Sequence, residues 1–189
     1  MSTLVLPDPS VVVLVGAAGS GKTTLVARLF APDEILSSDA LRATVSGDEA
    51  DQRASAVAFR ILHRTLENRL TRGELTVIDA TNTQPEHRRP LTTRARATAT
   101  PLVAIVLDLP PPTVQSQNAT RTTRIVDPTV VQRHQEAVRH TIDAGQLTAE
   151  GFDHVVLLRS TADIANLRVE RRDGRGRRVA PGAARRRER

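Results

Sequence analysis

The sequence predicts an α/β protein whose mostly parallel five-stranded sheet carries helices on both faces. Five short apolar runs support this prediction, at residues 11–15, 35–37, 75–78, 102–107 and 155–158. Such runs are typical of parallel strands that are buried on both faces. Segments with helical signals separate them, and strands that alternate with helices form parallel sheets. The 189 residues, 39% of them hydrophobic, suffice for one domain.

The elements before residue 80 follow from local signals. In order, we predict a strand at 11–15, a helix at 24–30, a strand at 35–37, a helix at 39–44, a long helix and a strand at 75–78. The long helix has apolar residues three or four positions apart, at Ala54, Val57, Ala58, Ile61, Leu62, Leu66 and Leu70. Gly73 is expected to end it, and Asp79 closes the strand that follows.

The second half continues this alternation. We predict a helix over 85–99 and a strand over 102–107. Asp127 and Pro128 have the residue types of a helix N-cap and first helical position. The helix that they open is expected to end near Gly145, before the last strand.

Charge separates the chain into two parts. Residues 171–189 contain nine Arg, one Asp and one Glu, a charge of +7, so the total of +6 leaves −1 for residues 1–170. The apolar pattern ends near Val169. We therefore expect a folded domain over 1–170 and a disordered basic tail over 171–189. An arginine-rich tail favours nucleic-acid binding of low sequence specificity, although it is equally compatible with no role.

Composition excludes several classes of function. The absence of cysteine excludes disulfides, thiolate zinc sites and cysteine nucleophiles, and none of the five histidines has an HExxH spacing. No apolar run has the length of a membrane span, and no basic residue precedes the first apolar stretch. We expect a cytoplasmic protein without a membrane partner. With three Phe, no Trp and no Tyr, base stacking on aromatic side chains should be mostly unavailable.

A phosphate-binding loop follows the first predicted strand. The pattern G-x-x-x-x-G-K-[ST] is matched by Gly16, Ala17, Ala18, Gly19, Ser20, Gly21, Lys22 and Thr23, and Thr24 comes next. Backbone N–H groups of such a loop surround phosphate oxygens at the start of a helix. Lys22, the single lysine of the chain, would reach the β- and γ-phosphates, and the Thr23 hydroxyl would hold Mg²⁺. The sequence therefore predicts that ATP and Mg²⁺ bind here.

Two carboxylates compete for the role of catalytic base. Asp39 and Asp79 each follow a predicted strand, and ligands bind beyond the carboxyl ends of parallel strands. Asp39 could accept a proton from an attacking hydroxyl, with Arg42 one turn later, or it could merely cap a helix. Asp79 ends an apolar strand, as does the Walker B acid that supports Mg²⁺. Spacing alone leaves both assignments open.

Arg121 and Arg124 form a third candidate group. Arginines on a segment above a nucleotide can neutralise the charge that develops on a transferred phosphoryl group. The alternative is ordinary solvent-exposed surface, which composition alone favours because 26 residues of the chain are Arg.

Taken together, these residues resemble the kinase domain of bacterial polynucleotide kinase–phosphatase enzymes, which repair broken RNA ends. The resemblance extends from about residue 11 to about residue 170. The matching stretches are residues 19–23, residues 37–39 with Arg42, residues 48–49 with 51–52, residues 75–82, Arg121 with Arg124, and Arg133 with His134. It implies a P-loop kinase core, related to AAA-family ATPases, with a helical lid.

The resemblance also implies roles for individual residues. Asp39 would be the general base on the 5′-hydroxyl of a nucleic acid, and Arg42 would bind the acceptor end. Asp79 would then help to hold Mg²⁺, together with Thr23. Arg121 and Arg124 would lie in the lid that closes over the phosphates.

The sequence departs from the family in two respects. Where the family's lid begins with arginine and asparagine, this chain has Gln117 and Asn118, and an uncharged glutamine should clamp phosphates more weakly. The phosphatase and ligase modules are also missing, so a separate end-repair phosphatase or ligase is an expected partner.

The leading hypothesis is an ATP-dependent polynucleotide 5′-hydroxyl kinase. The alternatives are a kinase for a sugar, metabolite or antibiotic, or a non-enzymatic ATP-binding protein associated with RNA, which Gln117 favours.

Overall fold

The computed structural model describes residues 2–48, 51–121 and 124–179. Its strands are β1 (Ser2–Pro7), β2 (Val11–Gly16), β3 (Ile35–Ser37), β4 (Thr76–Asp79), β5 (Leu102–Leu107), β6 (His154–Leu158) and β7 (Leu167–Arg172). Its helices are α1 (Lys22–Leu29), α2 (Ser38–Ser46), α3 (Ser55–Arg72), α4 (Pro85–Ala97), α5 (Pro111–Ala119), α6 (Pro128–Asp143), α7 (Gln146–Glu150) and α8 (Thr161–Asn166).

The main sheet confirms the predicted fold class. Its five parallel strands have the order β3-β4-β2-β5-β6 and coincide with the five apolar runs. The register pairs Ser37 with Asp79 and Gly16 with Leu107. Strands β2, β3 and β4 therefore end at the same edge of the sheet, where the loops that follow them meet.

Both faces of the sheet are covered, because successive side chains of a strand point to opposite sides. Val11, Val13 and Val15 belong to a core cluster that includes residues of α3, α4 and α6. Val12 and Leu14 belong to a second cluster, with residues of α1, β1 and β7. This two-sided burial explains why β2 reads as a continuous apolar run.

A second sheet was not predicted from the sequence. Strands β1 and β7 pair in parallel, with Ser2 opposite Leu167 and Pro7 opposite Arg172. Leu4, Leu6 and Leu167 of this pair are buried in the second core cluster. Residues 2–7 are thereby joined to the segment that follows α8.

The fold continues past residue 170, which corrects the predicted start of the disordered tail at Arg171. That side chain is buried in β7 and forms a paired ion contact with Glu34, with nitrogen–oxygen distances of 2.6 and 2.7 Å. Burial would raise the pKa of Glu34, but hydrogen bonds from Arg171 and from the Ala31 N–H lower it below its ordinary value. The apolar pattern ended early because the next inward position of β7 holds an arginine. Residues 180–189 of the predicted tail lie outside the described residues.

Within the described ranges, the helices are all too short or too polar to span a lipid bilayer.

Candidate active site

A cleft of about 800 Å³ opens at the carboxyl edge of the main sheet. It brings together most of the residues that the sequence singled out. Those that line it are Ala18, Gly19, Ser20, Gly21, Lys22, Thr23, Thr24, Asp39, Arg42, Asp79, Gln117, Arg121 and Arg124. The two remaining members of the predicted set, Gly16 and Ala17, are buried at the end of β2 and contribute carbonyl oxygens to the site.

Lys22 is buried at the start of α1 and folded back onto the loop that precedes it. Its ammonium group donates to the carbonyl oxygens of Gly16 and Ala17, at 3.0 and 2.7 Å. Burial lowers the pKa of Lys22 to about 8, against the opposing charges of Asp79 and Asp39. Asp39 therefore lies close enough to the loop to act on its lysine.

The phosphate-binding loop requires glycine where it approaches helix α5. Gly19 has a φ of +81°, and a Cβ atom added there would lie 2.8 Å from the Cβ of Asn118. Asn118 is itself buried; its amide donates to the Val126 carbonyl at 2.7 Å and accepts from the Val126 N–H at 3.1 Å. Asn118 thus links helix α5 to Val126 at a point where the helix closely approaches the phosphate-binding loop.

Thr23 and Asp79 form the candidate metal site. The Thr23 hydroxyl donates to a carboxylate oxygen of Asp79 at 2.8 Å. Burial raises the pKa of Asp79, opposed by this hydrogen bond and by the charge of Lys22. A hydroxyl beside a carboxylate fits Mg²⁺, which takes oxygen ligands and is typically shared between one or two carboxylates, water and substrate phosphates.

Asp39 does not cap the helix on which it lies. The N-cap of α2 is Ser37, whose hydroxyl accepts from the Ala40 N–H at 3.4 Å. The carboxylate of Asp39 instead accepts a hydrogen bond from the guanidinium of Arg42 and another from the Ser38 hydroxyl at 3.3 Å. The Asp39 side chain is 40% exposed and the Arg42 side chain only 7%. A buried arginine therefore orients a carboxylate that remains accessible in the cleft.

The three residues that the resemblance assigns to a lid, Gln117, Arg121 and Arg124, line the same cleft as the phosphate-binding loop. Arg121 and Arg124 line the cleft and are half-buried, so neither is ordinary exposed surface; residues 122 and 123 lie outside the described ranges. The positive charge of Arg121 acts on both Lys22 and Asp79. The side-chain oxygen of Gln117 is buried and has no hydrogen-bond partner among the described residues.

Several cleft residues received no role from the sequence. Phe59 of α3, His87 of α4 and His134 of α6 all line the cleft. Burial lowers the pKa of His134, as do the nearby positive charges of Lys22 and Arg133, and this favours its neutral form. These residues come from three separated helices, and no local pattern joins them.

Comparisons with known proteins bear on the family and on the fold. A family model described as an AAA domain matches residues 11–150. No curated protein matches the sequence.

Solved structures resemble the fold at low sequence identity. A chain of the Pnkp1/Rnl/Hen1 RNA repair complex is 17% identical, with a TM-score of 0.61, over 72% of this chain and 46% of that one. A chain of the AvrRxo1-ORF1:-ORF2 complex with ATP is 13% identical, with a TM-score of 0.61, over 91% of this chain and 57% of that one. A gluconokinase from Sinorhizobium meliloti 1021 is 16% identical, with a TM-score of 0.51, over 84% of this chain and 87% of the gluconokinase. This chain thus matches about half the length of the first two, and the likeness shows a P-loop kinase-like fold.

Proposed function

The chain belongs to this AAA-domain family, and from that premise we propose that it is an ATP-dependent polynucleotide 5′-hydroxyl kinase. It would transfer the γ-phosphoryl group of ATP to the 5′-hydroxyl end of RNA or DNA. The observation that carries the proposal is the position of the Asp39 carboxylate. It lies in the same cleft as Lys22, oriented by Arg42 and near enough to act on the pKa of that lysine.

The donor side of the cleft consists of the phosphate-binding loop and its lysine. Bound ATP and its Mg²⁺ supply the phosphoryl group and part of the charge neutralisation. Thr23 and Asp79 would hold the ion. The ammonium of Lys22 would exchange its contacts with the Gly16 and Ala17 carbonyls for phosphate oxygens.

The acceptor side consists of Asp39 and Arg42. One oxygen of the Asp39 carboxylate is held by Arg42, and the partly exposed side chain can receive the proton of the incoming hydroxyl. The hydroxyl oxygen then forms the new bond to phosphorus as the bond to ADP breaks. Arg121 and Arg124 would stabilise the charge on the transferred group.

A nucleic-acid acceptor is supported by the likeness to a chain of the Pnkp1/Rnl/Hen1 RNA repair complex. The match covers 46% of that chain. The second candidate is a small-molecule kinase. It is favoured by the match to a gluconokinase, which covers 87% of that enzyme.

The test is transfer of labelled γ-phosphate from ATP to 5′-hydroxyl RNA and DNA oligonucleotides, with gluconate and other sugars as rival acceptors. Nuclease digestion of the product should release the label in the 5′-terminal nucleotide. Asp39→Ala should abolish transfer, whereas Asp33→Ala, an exposed aspartate outside the cleft, should not. Transfer to gluconate alone would establish the second candidate. ATP binding with no transfer to any acceptor would instead favour a non-enzymatic ATP-binding protein.

A further inference from the structure

The cleft contains an aromatic surface that the proposed chemistry does not use. The rings of Phe59 and His87 have centroids 6.2 Å apart and planes only 12° from parallel. His63, one turn after Phe59 on the same face of α3, lies 6.3 Å from the Phe59 ring with an interplanar angle of 30°. Phe59 and His87 both line the cleft. His87 is exposed, and Phe59 is half-buried against the core.

This surface lies on the acceptor side of the cleft. Phe59 packs against the same core cluster as Leu41, which lies between Asp39 and Arg42 on helix α2. Ser55, one turn before Phe59 on α3, also lines the cleft. The donor side has a different character, because its apolar wall comes from Val126, Val130 and Ile164.

Helix α3 also carries exposed positive charge outside the cleft. Arg60 and Arg64 are exposed and follow Phe59 by one and five residues. Neither forms an ion pair within the part of the chain that the structure describes. A planar base and the phosphates of the nucleotides after it would match an aromatic surface on a helix that also carries exposed guanidinium groups.

We propose that Phe59 and His87 form a stacking platform for the terminal base of a nucleic-acid acceptor, whose next phosphates contact Arg60 and Arg64. The proposal rests on the polynucleotide kinase function and specifies how that acceptor is bound. It differs from the expectation that base stacking is mostly unavailable, because histidine rings would extend the surface of a single phenylalanine. Since every base has an aromatic face, the platform selects a base without selecting a sequence.

The first test uses an oligonucleotide with 2-aminopurine at its 5′-hydroxyl end, since the fluorescence of this base falls when it stacks. The wild-type protein should quench it on binding. Phe59→Leu, which keeps an apolar side chain in the core, and His87→Gln should each lose most of the quenching. His140→Gln, at an exposed position outside the cleft, is the matched control and should quench normally. ATP binding by every variant would show that the fold is intact.

The second test compares acceptors in the transfer reaction. Phe59→Leu should raise KM about tenfold for an oligonucleotide with a 5′-terminal base and leave KM for a 5′-abasic oligonucleotide unchanged. An equal effect on both acceptors, or undiminished quenching in both variants, would overturn the platform. The two hypotheses remain separable, because quenching that depends on Phe59 without phosphoryl transfer would contradict the kinase and leave the platform standing.

Discussion

ATP binding should weaken as the pH rises above 8, because Lys22 then loses its proton. Burial lowers the pKa of this lysine from 10.5 to about 8, so above that value the neutral amine predominates in the nucleotide-free protein. A neutral amine offers no positive charge to the phosphates. The chain has no other lysine, no cysteine and no tyrosine, so the amino terminus is the one other group expected to titrate near this pH.

The size of the effect follows from the fraction of protonated Lys22. If only the ammonium form binds, the apparent Kd for ATP rises by roughly 1.1-fold at pH 7 and about 30-fold at pH 9.5, relative to acidic pH.

The same titration of Lys22 affects the stability of the fold. Between pH 8 and 10.5 the unfolded chain binds more protons at Lys22 than the native protein does. The free energy of unfolding should therefore rise across this window by on the order of 3 kcal/mol from this group.

Two measurements check this reasoning. In protein labelled with ¹³C-lysine, the one lysine Cε resonance should titrate with a midpoint near 8. Calorimetry at constant free Mg²⁺ should show the loss of ATP affinity in wild type and no such slope in Lys22→Arg, whose guanidinium stays protonated. A wild-type Kd that changes by less than about threefold between pH 7 and 9.5, or the same slope in Lys22→Arg, would refute the assignment.

Three further predictions follow from the contacts described above. Asp39→Ala should lower the rate of transfer by at least about 100-fold and leave the Kd for ATP within about twofold; a near wild-type rate would remove Asp39 as base. Arg171→Ala leaves the partly buried Glu34 carboxylate without its partner and should lower the free energy of unfolding in urea by about 3 kcal/mol. The Arg172 side chain is 48% exposed, so Arg172→Ala should change the free energy of unfolding by less than about 0.5 kcal/mol. Equal losses of stability in the two variants would contradict a stabilising Arg171–Glu34 pair. Gln117→Arg should lower the KM for ATP or raise kcat by about tenfold in steady-state assays, and no change in either would exclude contact with the phosphates.

The main sheet could be predicted because its strands are buried on both faces, which leaves continuous apolar runs in the sequence. Strands β1 and β7 carry weaker signals. In β7 the inward positions are Leu167, Val169 and Arg171, and a buried arginine resembles the start of a polar tail when its partner Glu34 is 137 residues away in sequence. A long-range ion pair of this kind has no local signature.

In the candidate site, too, some features could be predicted from the local sequence and others could not. The phosphate-binding loop and the acids after β3 and β4 are local motifs, and the structure brings them into one cleft as expected. The sequence alone could not show that Ser37, rather than Asp39, caps α2. The identity of the cap depends on the exact residue at which the helix begins. The stacked rings of Phe59 and His87 depend on how α3 and α4 pack together, and the role of Asn118 depends on a close approach to Gly19. Neither contact could be inferred from spacing along the chain.

The most direct test of the central proposal compares kcat/KM for a 5′-hydroxyl oligonucleotide with kcat/KM for gluconate, in wild type, Asp39→Ala and Asp33→Ala. We predict that the wild-type protein and Asp33→Ala phosphorylate the oligonucleotide at least about 100-fold more efficiently than gluconate, and that Asp39→Ala phosphorylates neither. Efficient transfer to gluconate with none to the oligonucleotide would contradict the polynucleotide kinase assignment.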